Sequence, residues 1–108
     1  MRMLWYSRLY TGEKAQKHRF DVIQGIRDEK SLPWIYVITP ASNPQNILDI
    51  YPADEMKNPA YEKREFFIIG IADGYQDALE VASQIVCEMY QATGKFCLEQ
   101  FIPEVKDC

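Results

Sequence analysis

Apolar and polar positions alternate or recur along the chain with periods that separate its elements. Residues 3–10 (MLWYSRLY) alternate as a strand does, with Leu4, Tyr6, Arg8 and Tyr10 on one face and Met3, Trp5, Ser7 and Leu9 on the other. Thr11 and Gly12 break this strand, and Thr11 is placed to cap a helix over about 13–29. At about 100° per residue, Ala15, Val22, Ile23 and Ile26 form its apolar stripe, with Lys14, Lys17, His18, Asp21, Gln24 and Asp28 on the wet side. Residues 34–39 (WIYVIT) are an unbroken apolar run between prolines, the pattern of a buried strand. Ser42 or Asn43 can cap a short helix over about 43–50, with Pro44 near its first position.

Residues 66–72 (FFIIGIA) are the most apolar run and predict a central strand covered on both faces. From 75 to 92 the helical repeat is clear: Tyr75, Ala78, Leu79, Ala82, Ile85, Val86, Met89 and Tyr90 lie along one stripe. Gly94 suits the left-handed cap behind it. Residues 95–102 (KFCLEQFI) read as a last strand, with Lys95, Glu99 and Gln100 suited to a sheet edge.

One domain over 1–108 is expected. The order of elements predicts an α/β fold with a four-stranded, mostly parallel sheet of order 2-1-3-4 and helices on its faces. A ferredoxin-like α+β sandwich is the alternative. The choice matters because a parallel sheet gathers its strand-to-helix turns at one end, where ligands bind. Those turns would be Thr11 and Gly12, residues 41–43, and Asp73 and Gly74.

Composition narrows the classes. Apolar content of 47% and charged content of 26% suit a globular chain. A net charge of −4 argues against nucleic acid as a partner. No stretch is apolar enough to span a membrane, and charge returns at Arg8, Glu13 and Lys14 too early for a signal peptide, so a cytoplasmic location is expected. Cys87, Cys97 and Cys108 show no CxxC spacing and read as reduced thiols.

LYTGEKAQK, YVITPASNPQNILDIYPA and FFIIGIADGYQDALEVASQIVCEMYQATGKF together resemble a family of small proteins of unknown function from Gram-positive bacteria. The resemblance covers most of the chain and implies no activity, cofactor or catalytic residue.

Candidate chemistry is sparse. Gly70 and Gly74 bracket a turn that fits neither a dinucleotide fingerprint nor a phosphate loop, and Asp73 can cap the following helix itself. Arg19 falls inside an apolar stripe. It either reaches a carboxylate such as Asp73 or Glu99, or clamps an anion with Arg8. Tyr6, Arg8 and Tyr10 can hold a planar or acidic ligand, or simply pack under a helix or a second subunit. His18, the one histidine, sits on a wet face with no nucleophile at hand, and with scattered cysteines it makes no tetrahedral metal set. Cys87 is expected to be exposed among acids and amides, an inert setting. Asp49, Asp54 and Glu55 lie in a polar, interrupted segment, and Phe20 points away from its helix's stripe, which marks either a partner surface or a helix buried on two sides.

The leading expectation is a non-enzymatic binding or interaction module, working as a homodimer, with no cofactor. A small-ligand protein or weak enzyme is the second reading. Its anion site would sit at the strand-to-helix turns and use Arg8, Tyr10, Arg19, Ser42, Asn43, Asp73 and Gly74. An accessory protein of a mobile element or phage is the third.

Overall fold

The computed structural model describes residues 2–105. Strand β1 (Arg2–Thr11) leads into two short helices, α1 (Glu13–Gln16) and α2 (Arg19–Arg27). Strands β2 (Ile35–Pro40) and β3 (Leu48–Pro52) form a hairpin, and two 3₁₀ turns (Ala53–Lys57 and Pro59–Tyr61) lead to β4 (Glu65–Asp73). Helix α3 (Tyr75–Thr93) and the single turn α4 (Leu98–Phe101) complete the chain.

The four strands make one mixed sheet of order β1-β4-β2-β3. β4 runs parallel to β1, but β2 is antiparallel to both β4 and β3. The expected order 2-1-3-4 and its mostly parallel character are therefore corrected, since only one strand pair is parallel. The ferredoxin-like alternative does not describe it either, because helices cover both faces. The two faces of β4 divide the core, with the alternation shifting by one residue at Gly70: Phe67, Ile69 and Ala72 face α3, whereas Phe66, Ile68 and Ile71 face α2 and the 3₁₀ turns.

Two predicted elements are replaced. Residues 95–102 hold no strand. Leu98, Phe101 and Ile102 follow helical spacing, and the turn drops Leu98 and Ile102 into the core beside α3. The helix expected over 43–50 is a loop followed by β3, in which Asn43 caps only its own turn by accepting from Gln45 N. The helix expected over 13–29 breaks at Lys17 and His18 into α1 and α2.

Cys87 is a free, exposed thiol, whereas Cys97 is disulfide-bonded, which corrects the expectation of a reduced thiol there. Cys108 lies outside the described residues. No described helix is long and apolar enough to cross a membrane.

Candidate functional site

The parallel pair β1 and β4 brings the first and last predicted turns to the same end of the sheet, where Gly12 N donates to Ile71 O at 2.9 Å. The second turn, with Ser42 and Asn43, lies at the opposite end because β2 runs the other way. The seven residues singled out in the sequence are thus spread over three places. Arg19 Nε donates to Thr11 Oγ1 at 3.1 Å, and no described carboxylate pairs with it. Tyr10 packs on the α3 face, where its hydroxyl donates to Glu88 at 2.8 Å. Burial, and then the Glu88 hydrogen bond and charge, hold the Tyr10 phenol well above its usual titration range. Arg8 is exposed, and Ser42 is tied to Asp49.

The residue that organises the first end is Asp77, which the sequence reading passed over. It is 3% exposed, one turn into α3. Its Oδ2 accepts from Asp73 N at 2.9 Å and Ala15 N at 3.4 Å, and its Oδ1 accepts from Lys14 N at 3.3 Å. One carboxylate thus caps the start of α1 in trans and the turn into α3 in cis. Asp73, the expected cap, instead reaches His18 Nε2 at 3.0 Å. Gly74, at φ 92°, occupies the N-cap of α3 without a side-chain cap. These contacts tie the start of α1, the end of β4 and the first turn of α3 together, a structural duty.

The free surface lies elsewhere, on α3. Ala78, Val81, Ile85 and Met89 are buried on the sheet. A second stripe lies beside them, toward β3: Tyr75, Leu79, Ala82, Ser83, Val86 and Tyr90. Tyr75 is 55% exposed, Leu79 40% and Tyr90 51%. Phe96, 58% exposed, extends the stripe by stacking on Tyr90 at 4.9 Å between ring centroids. The stripe carries no charge. The glutamates of α3, exposed Glu80 and half-buried Glu88, lie on the helix's other flank, where Glu88 meets Tyr10 of β1.

Between this stripe and β3 runs an apolar groove of about 360 Å³, walled by Ile47, Leu48, Ile50, Ala82, Val86 and Cys87. Among the described residues β3 pairs only with β2, which leaves its outer edge open. β1 has an open edge too, but an irregular one. Its residues 2–5 pair with 65–68 and its residues 10 and 11 with 70 and 71, leaving residues 6–9 opposite Ile69 alone. Such a bulge twists an edge away from further pairing.

The width of the stripe was the signal available in the sequence. The residues first read as one apolar stripe span roughly 140° of the helix at 100° per residue, and the sheet covers only part of that arc. Among the described residues no three His, Cys, Asp or Glu side chains gather as a metal site would require. No family model matches the chain, and comparison with curated proteins and with solved structures finds no match.

Proposed function

We propose that this chain is an interaction module that works as a homodimer, joined through the α3 stripe and the open edge of β3. The observation that carries this reading is the uncharged, exposed stripe running the length of α3 beside the open edge of β3. A chain of net charge −4 repels its own copy, so two copies meet most readily where charge is absent. Antiparallel pairing of two β3 edges about a twofold axis satisfies the outer backbone groups of both. The same axis lays one α3 stripe against the other and closes the groove. α3 has 19 residues, about 28 Å at 1.5 Å per residue, a length suited to a footprint of the usual ~800 Å² per partner.

Sedimentation equilibrium tests this with the wild type, Leu79→Glu and Val86→Glu. Leu79 and Val86 sit outside the sheet-covered stripe, so each variant should keep a near-wild-type unfolding midpoint at low concentration. The wild type should weigh about twice 12.6 kDa and both variants 12.6 kDa. A wild type that stays at 12.6 kDa at high micromolar concentration contradicts the proposal.

A further inference from the structure

β2 and β4 pair from Ile35 opposite Asp73 to Ile38 opposite Gly70, and no further. The reason is local. Ala41 N donates to Ile47 on the β3 side, so the alternating residue Pro40 would donate toward β4, and proline has no N–H. Past Ile38 the strands part, leaving a cleft of about 230 Å³ at the end of the sheet away from Asp77.

Arg64 stands on one wall of this cleft. Its guanidinium lies 4.6 Å from the ring centroid of Phe66, 5.2 Å from Tyr61 and 5.4 Å from Tyr51. Nη2 donates to Tyr51 Oη at 3.0 Å, and that hydroxyl donates to Asp49 Oδ2 at 3.0 Å. Asp49 in turn holds Ser42 N and Oγ, each at 2.9 Å, so the aromatic cage, the cation and the 41–47 loop are tied together. The remaining guanidinium N–H groups have no partner among the described residues, and no described carboxylate lies within ion-pair distance of Arg64.

Two acids also line the cleft. Glu65 is paired with Arg2 at 3.5 Å, whereas Glu104, at the mouth, makes no ion pair among the described residues. Arg64 and Glu104 therefore face one cavity as opposite charges that do not close on each other. A second cavity of about 440 Å³ adjoins it across Pro40, Ala41, Ser42 and Val105, and is walled by Asn43, Asn46, Phe96 and Leu98. Its size falls in the ~300–1,000 Å³ range of ligand pockets.

We infer that the cleft binds a small zwitterion of the α-amino-acid type. The ligand carboxylate sits on the Arg64 guanidinium, whose fork matches it, and the ammonium sits on Glu104. The side chain extends into the larger cavity between the Asn43 and Asn46 amides and Phe96. Its charged groups, Arg64 and Glu104, stand apart from the dimer face, although the larger cavity shares Ile47 and Phe96 with it.

Titration calorimetry with the standard free amino acids as probes, and with acetate and methylammonium as half-ligands, tests this. At least one amino acid should bind saturably at millimolar concentration or below. Glu104→Gln and Arg64→Gln should each weaken it by about tenfold or more, the loss expected when a charge-assisted contact is removed. Acetate should bind more weakly and be indifferent to Glu104→Gln. Should Arg64→Gln fail to fold, the exposed Glu104→Gln variant decides alone. No binding by any amino acid, or binding unchanged in Glu104→Gln, overturns the inference.

Discussion

The carboxylate of Asp77 occupies the space that a β-carbon on residue 12 would need. The two residues come from different ends of the chain, and their contact joins the turn after β1 to the first turn of α3. Gly12→Ala should therefore push Asp77 off three backbone N–H groups at once. Overpacking of this kind costs about 1–3 kcal/mol, and buried donors left unpaired add to it. Urea unfolding should show Gly12→Ala destabilised by at least about 2 kcal/mol.

Asp77→Ala and Asp73→Ala separate the observed cap from the expected one. Loss of the buried Asp77 carboxylate strands the N–H groups of Asp73, Lys14 and Ala15, and should cost about 3 kcal/mol. Loss of Asp73 removes only a half-exposed pair with His18, worth roughly 0–1 kcal/mol. Equal destabilisation of the two variants would put the cap elsewhere.

Gly70 lets β4 pack tightly against α3 and β2. A β-carbon there would lie 3.0 Å from Val81 Cγ1 and 3.4 Å from Ile38. Gly70→Ala should lose about 1–2 kcal/mol by overpacking, partly offset by a stiffer unfolded chain. Combining it with Val81→Ala should cost less than the two single losses added, because the second substitution vacates the contested space.

Asp54 pins the segment after β3 to the approach to β2. Its Oδ1 accepts from Leu32 N at 2.7 Å and lies 3.4 Å from Lys57 Nζ. The Leu32 hydrogen bond, chiefly, holds this carboxyl below its usual value. A pKa depressed in the folded state means stability that is present above the unfolded value of about 3.9 and lost as pH falls through the folded one. Asp54→Asn should therefore be less stable than wild type near neutrality, and thermal midpoints of the two should converge below about pH 4.

How far the sequence foretold this architecture varies with the element. β4 and α3 were legible because their periods are unambiguous and flanked by glycines, and Gly94 does adopt the left-handed cap at φ 70°. β3 was hidden: Leu48 and Ile50 alternate over only five residues, and Ser42, Asn43 and Pro44 imitate a helix start. α4 was misread because Phe96, Leu98, Phe101 and Ile102 fit both periods over so short a run. The strand order rests on long-range pairing, which no local pattern encodes, and misplacing β2 carried Ser42 and Asn43 to the wrong end. Asp77 escaped notice because a first-turn acid is ordinary on a helix, and its partners in α1 lie 62 and 63 residues away. Arg64 carries no signal in the sequence, where it is one of several neighbouring charges, and only the fold sets three rings around it.

Hydrogen exchange of the wild type, followed from low to high protein concentration, tests the dimer face most directly. The account predicts that amides of β3 (Leu48–Pro52) gain protection as concentration rises, while those of the bulged edge β1 (Arg2–Thr11) do not. Protection that appears in β1 instead, or in neither strand at any concentration, would contradict it.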